Sequence, residues 1–250
     1  MSQIFTAIFY QPILNLLVFL YDTIAFQDLG IAIILLTAVI RLVFWPLSRA
    51  SITSQKALQD LQPKIEELKK KYGDNKAELS RATMDLYKDN KVNPFSSCLP
   101  LLIQLPFLFA VYRVFNDGLN NKLDLVYSFI SHPGTINTLS FGFLDLAKSN
   151  VYLAVLAGLA QFWQAKMMVT AKPAVVTPGS KDESMAAIMN KQMLYFMPAV
   201  TIFIGLSLPG GLTLYWFVLT LLTALQQLIT FRKKNDAASA NKTIEGELVK

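Results

Sequence analysis

The sequence predicts an all-α polytopic membrane protein with a core of five transmembrane helices, an N-terminal interfacial helix and a cytoplasmic helical hairpin. Three observations carry this. Of 250 residues, 53% are hydrophobic and only 16% charged, with a mean hydropathy of +0.40, which is membrane rather than soluble composition. Apolar runs recur at about 29–47, 96–115, 151–170, 192–208 and 211–231, each near the length a spanning helix needs. The charged residues gather between those runs, and the Lys and Arg lie mostly on alternate connections. The whole chain, 1–250, is expected to form a single domain.

Residues 4–24 are apolar but interrupted by Gln11, Pro12, Asn15 and Asp22. Such a segment is expected to lie in the membrane interface rather than to cross. It lacks the basic n-region and the small-residue cleavage site of a secretory signal, and no early cysteine offers a lipid anchor. Targeting is therefore expected to rest on the first span.

Charge sets the orientation. The segment 48–95 holds ten basic residues, the loop 166–191 four and the tail after Phe231 five, nineteen in all. The opposite side has three: Arg113, Lys122 and Lys148. This predicts an N-terminus outside and a C-terminus in the cytoplasm. The same clustering argues that the net charge of +6 serves topology, not nucleic acid.

Within residues 51–90, Leu58, Leu61, Ile65 and Leu68 recur at helical spacing, and Gly73-Asp74 interrupts. A second stretch follows with Leu79, Ala82, Met84 and Leu86. The other faces mix Lys with Glu and Asp, as solvated helices do. An antiparallel hairpin results, its first arm about 33 Å long if 51–72 is continuous helix. With little core of its own, it is expected to be mobile. Residues 172–189 read as flexible, and 116–149 as an irregular external loop with a short interfacial helix. Leu208-Pro209-Gly210-Gly211 allows only a tight turn between the last two spans. Residues 232–250 form the cytoplasmic tail.

Arg41 is the residue that points to function. It stands inside the first span, where a guanidinium costs roughly 2.5–3.5 kcal/mol even on the insertion scale. Thr37, Arg41 and Trp45 are spaced by four and share one helix face. Arg41 lies about 10 Å from the cytoplasmic end of its helix at Ser48, farther than its side chain comfortably snorkels. A cavity-facing role is therefore predicted. Gln104, Gln161, Thr201, Tyr215 and Thr220 are further polar groups in the spans. Each alone is more often an interhelical hydrogen-bond residue than a ligand, but together with Arg41 they outline a wet groove. No Asp or Glu occurs in the five spans, so the arginine lacks an intramembrane counter-ion. Pro100 and Pro106 are ordinary membrane-helix prolines that can kink the second span.

One cysteine, Cys98, excludes an internal disulfide and a cysteine-built metal site, and reads as a packing residue. One histidine, His132, reads as a solvated turn residue. No phosphate-binding loop or dinucleotide fingerprint is present, so neither cofactor nor metal is expected. Without a Ser/His pair, paired carboxylates or a metal cluster in the spans, the chain is not expected to be an enzyme. A small-solute transporter or channel, with Arg41 as an anion site, is the competing class. The long hairpin and the lack of an internal repeat count against it.

Several motifs occur in a fixed order: Thr37-Ala38-Val39-Ile40-Arg41, Trp45-Pro46-Leu47, Leu61-Gln62-Pro63-Lys64-Ile65 and Lys91-Val92-Asn93-Pro94. They continue with the run from Cys98 to Pro106, then Phe196-Met197-Pro198, Pro209-Gly210-Gly211-Leu212 and Leu214-Tyr215-Trp216. In this order and spacing, over residues 8–232, the chain resembles the YidC/Oxa family of membrane protein insertases. The resemblance implies a five-helix core with a hydrophilic groove open to cytoplasm and lipid and closed outside. It implies Arg41 as the positive charge of that groove, with Thr37, Tyr215 and Trp216 touching the substrate helix. It also implies a bacterial plasma (inner) membrane location, a chaperone role, and nascent membrane proteins and the bilayer as partners. The Sec translocon and the ribosome enter as further partners. A compact form, without the large extracytoplasmic domain of some bacterial members, is therefore expected. The short, mildly basic tail weakens ribosome docking through it.

Overall fold

The computed structural model describes residues 3–73, 75–93, 99–118, 125–131, 133–168 and 191–248, with backbone alone for 99–103, 117–118 and 233–248. Cys98, His132 and the 172–189 loop, on which expectations were placed, lie outside the described residues.

The chain is an all-α membrane protein with one two-stranded hairpin. Helix α1 spans Gln3–Thr23 and is long and apolar enough to cross a membrane by length alone. Its interrupting polar residues have specific partners. Gln11 Nε2 and Asn15 Nδ2 donate to the Leu125 carbonyl at 3.2 and 3.1 Å, and Asn15 Oδ1 accepts from Tyr127 N at 2.6 Å. Tyr21 accepts from Asn137 N at 3.0 Å. A buried asparagine is tolerable only when so satisfied, and these bonds tie α1 to the segment after α6.

Helix α2, Leu29–Val43, is capped by Asp28, whose Oδ1 accepts from Ile31 N at 3.1 Å. It ends four residues short of the end of the expected 29–47 span. Phe44 leaves helical geometry, and the chain turns by 71° into α3, Trp45–Asp60. The cause is local: Pro46 has no N–H to continue the ladder, and Phe44 N closes the last turn on Ile40 O. The α2 axis covers about 22 Å, less than the ~30 Å hydrocarbon core.

The hairpin is α3, then α4 at Gln62–Tyr72 and α5 at Lys76–Asp89. The expected continuous arm over 51–72 is broken at Leu61 because Pro63 follows in the first turn of α4. Asn75 caps α5 through Glu78 N. Leu61 and Ile65 are buried, and α4 packs on α5.

Helix α6, Leu99–Arg113, runs into a π-helical turn, Val114–Gly118. The expected irregular loop contains a feature the sequence did not announce. Strands β1, Leu139–Ser140, and β2, Leu144–Asp145, pair antiparallel with Leu139 opposite Asp145. With only two residues each, they are too short for an alternating pattern to show.

Helix α7, Val151–Met168, starts at Asn150, whose side chain accepts from Leu153 N at 3.1 Å. Helix α8 covers Gln192–Ser207. After extended Leu208, helix α9 starts at Gly210 and continues to Leu248, so no structural boundary marks the expected tail at 232. The glycines after Pro209 are needed for close approach. A Cβ on Gly211 would stand 2.4 Å from the Phe115 ring, and Gly210 N donates to Lys148 O at 2.8 Å. The core gathers Leu14, Leu17 and Val18 of α1, Ile33 and Leu36 of α2, Val111 of α6 and Leu212 and Tyr215 of α9. Helix α9 packs along α7 and α2, and α7 along α8.

Candidate functional site

Arg41 sits in the last turn of α2 and is partly buried. Its Nε is buried and has no hydrogen-bond partner, and among the described residues it forms no ion pair. A buried guanidinium N–H is seldom left unmatched, so Arg41 is one of a few exceptional buried groups among the described residues, and the charged one.

Its neighbourhood comes from α6 and α9. Tyr215 is fully buried on α9, within electrostatic reach of Arg41. Its hydroxyl accepts from Gln104 Nε2 of α6 at 2.8 Å. Three helices thus bring Arg41, Gln104 and Tyr215 together, with Gln104 and Tyr215 separated by 111 positions in the chain.

A second anchor lies at the C-terminal end of α2, beside the start of the charged hairpin. Gln226 Nε2 donates to the Trp45 carbonyl at 3.2 Å, just past the bend between α2 and α3. Tyr215 and Gln226 are eleven residues apart on α9, about 16 Å, whereas Arg41 precedes Trp45 by only one turn. The Arg41 side chain therefore reaches back along α2, as helix geometry directs side chains, and not toward the near membrane surface.

The remaining sequence-predicted residues behave differently. Thr37 is fully buried and its hydroxyl donates to Ile33 O at 2.6 Å, one turn back. Gln161 of α7 accepts from the Thr201 hydroxyl of α8, and no hydrogen bond among the described residues joins it to the Arg41 group. Trp216 is half-buried and turned about 100° around α9 from Tyr215. Thr220 is buried.

Gln226 and Gln227 lay outside the predicted set. Both are buried, and the Oε1 of each lacks a partner. The signal was present as two adjacent amides inside an apolar run, but at a span's end such amides usually meet headgroups. Beside them, Lys56 of α3 lies 5.6 Å from the Phe231 ring centroid, and bonds Gln59 Oε1 at 2.9 Å and Asp60 at 3.2 Å.

An arginine that pairs with no carboxylate among the described residues, near an amide and a phenol in an apolar helical core, defines a helical membrane protein with a polar internal site. The sequence matches the 60Kd inner membrane protein family over residues 19–237, and the chain belongs to that family, which includes the YidC/Oxa insertases. It is 36% identical over 225 residues to a protein of Nitratidesulfovibrio vulgaris named membrane protein insertase YidC, covering 89% of this chain and 38% of that protein. A protein of the same name from Syntrophus aciditrophicus is 37% identical over 219 residues, 87% of this chain and 35% of the other. One from Geobacter metallireducens is 33% identical over 235 residues, 93% and 38% respectively. The chain thus spans between a third and two-fifths of the length of these relatives.

Proposed function

We propose that this chain inserts and helps fold integral membrane proteins, acting alone or with the Sec translocon. The observation that carries the reading is Arg41, whose buried Nε on α2 has no partner, beside the Gln104–Tyr215 pair that joins α6 to α9. A nascent segment must bring polar flanking groups across hydrocarbon at several kcal/mol each. A polar site at half depth shortens that dry path, and a cation there attracts an acidic flank. The apolar segment then leaves by partitioning into lipid, so no nucleotide is needed.

In this reading α2, α6, α7, α8 and α9 are the five spans, and the hairpin and C-terminus are cytoplasmic. The count of nineteen basic residues against three supports that orientation. Helix α1 lies in the outer interface, supported by its bonds to Leu125, Tyr127 and Asn137. Trp216 and Gln161 line the substrate path alongside Arg41 and Gln104, with the fully buried Thr37 and Tyr215 supporting its wall from behind. Nascent membrane proteins are the substrates, the membrane is a bacterial plasma membrane, and the ribosome is a transient partner. The relatives' shared name supports the activity.

The test reconstitutes the purified protein in liposomes with one short single-span substrate and scores protease protection of the translocated flank. Protection above that of empty liposomes is expected. Its absence in liposomes that hold correctly folded protein rejects autonomous insertion.

A further inference from the structure

The outer corner of the molecule, on the side opposite the charged hairpin, carries aromatic side chains that the described residues leave partly or largely exposed. Phe26 is 92% exposed, Phe143 80% and Phe141 43%. We infer that this corner is a lipid-seated wedge, in which Phe26, Phe141 and Phe143 enter the interfacial zone of the adjacent leaflet.

The corner is built, not frayed. Phe26, Gln27 and Phe141 have φ of 52°, 60° and 55°, a left-handed conformation that bulky side chains avoid and that persists only when surroundings enforce it. The enforcing contacts are visible. Asp28 uses one carboxylate oxygen to cap α2 at Ile31 N and the other to accept from Phe141 N at 2.6 Å. Ser140 Oγ accepts from Gly30 N at 2.6 Å. The Phe141 ring lies on Gly30 so closely that a Cβ there would stand 2.7 Å from it. The α1–α2 loop and the tip of the β-hairpin are thus one rigid unit, and it turns phenyl rings outward.

Two features choose lipid as the occupant. The first is continuity with the membrane-facing flank of α1. Ile4, Ile8 and Phe19 are exposed along one side of that helix, and Ile24 and Phe26 extend the stripe off its end. The second is charge. Residues 139–144 carry none, and in 24–28 the only charged group is Asp28, both of whose oxygens are engaged. Uncharged aromatic rings at the end of a span suit the membrane interface, whereas a protein-docking patch would carry a polar rim. The inference uses membrane residence alone and is independent of the insertase reading.

The test places bimane on single cysteines at Phe26→Cys, Phe143→Cys and Leu139→Cys in a Cys98→Ser background, reconstituted in vesicles. Lys148→Cys, at a position whose side chain is 82% exposed, is the aqueous reference. Nitroxide-bearing lipid should quench the labels at 26, 139 and 143 about threefold more than at 148, with iodide showing the reverse order. The Leu139→Cys probe leaves all three rings in place, so it stands even where a phenylalanine variant fails to fold. Adding Phe26→Ser and Phe143→Ser should then cut lipid quenching at 139 by about half. Iodide quenching at all three sites equal to that at 148, the result a protein-docking face would give, overturns the proposal. So does lipid quenching at 139 that ignores loss of the rings.

Discussion

Arg41 had to be reached by tertiary structure as well as by sequence. A cation in an apolar run is visible in the sequence, as are Gln104 and Tyr215, because each breaks hydrophobic monotony. Their convergence is not visible, since it depends on how α6 and α9 rotate against α2. Thr37 shows the limit: its spacing puts it on the Arg41 face, yet its hydroxyl is spent on Ile33 O. If Arg41 acts through charge, Arg41→Lys should keep most insertion activity in the liposome assay. A unit charge acting across about 10 Å at an effective dielectric near 20 is worth roughly 1.7 kcal/mol, a factor of about 15–20. Arg41→Ala should lose about that factor for a substrate with an acidic flank and much less for a neutral one. Arg41→Glu should be worst for the acidic substrate. Equal loss for both substrates in Arg41→Ala, at matched protein amounts, would show a structural residue instead.

Asp28 supports a second prediction at this scale. Desolvation raises its pKa, but hydrogen bonds from Phe141, Ile31, Ser140 and Gly30 outweigh that and hold the carboxyl below its ordinary value. A depressed acid contributes stability above its unfolded pKa, near 3.9, and loses it as pH falls through the folded value. The corner should therefore be insensitive between pH 5 and 8 and loosen only in strong acid. Asp28→Asn keeps an acceptor for Ile31 but turns an amide N–H toward the Phe141 N–H. A cost of about 1 kcal/mol is expected, read as roughly fivefold faster hydrogen exchange at the Phe141 amide at neutral pH. Unchanged exchange there would mean that Asp28 serves only α2.

Among the elements, proline decides most departures from the sequence expectation. The turn Thr6–Tyr10 is π-helical just before Pro12, and Gln192–Phe196 just before Pro198. A widened turn relieves the clash between a proline ring and the carbonyl one turn earlier. Pro46 and Pro63 instead stand at new helix starts, after the bend at Phe44 and the break at Leu61. Hydropathy identifies apolar runs but is blind to which of these outcomes a proline selects. Helix pairing has a clearer code. Gly158 meets Ile202, and Gly205 meets Ala154, the small-residue contacts by which membrane helices approach. A Cβ at Gly158 would lie 2.4 Å from Ile202 Cγ1 and 3.1 Å from the Pro198 carbonyl. Gly158→Ala should therefore destabilise by about 1–3 kcal/mol, seen as earlier thermal unfolding in detergent. Adding Ile202→Ala should recover part of the loss, and if it does not, the backbone contact with Pro198 is the stricter one.

For the whole molecule, the boundary between the apolar helical core and the exposed charged arm decides which deletions the fold tolerates. The sequence places that boundary near residue 51, where charge density rises. The structure moves it. Ser51, Ile52 and Gln59 of α3 are buried, Gln226 holds the Trp45 carbonyl, and Lys56 lies over Phe231. Helix α3 thus belongs to the core, whereas α4 and α5 pack chiefly on each other, with no residue of α5 buried. Removing residues 62–89 and joining the ends through a short Gly-Ser linker should leave a protein that enters the membrane and unfolds within a few degrees of the parent. Substrate crosslinking at the cytoplasmic side should fall several-fold, because the exposed arm is the part free to meet an emerging chain. Removing residues 51–90 should do more. It removes the buried Ser51, Ile52 and Gln59 and the Lys56 contact with Phe231, so packing between α3 and α9 is lost, and a buried Ile alone contributes about 1.5–3 kcal/mol. The two deletions, compared by thermal unfolding and membrane yield, separate the roles. If the shorter deletion destabilises the membrane core as much as the longer one, α4 and α5 are structural and capture must be assigned elsewhere.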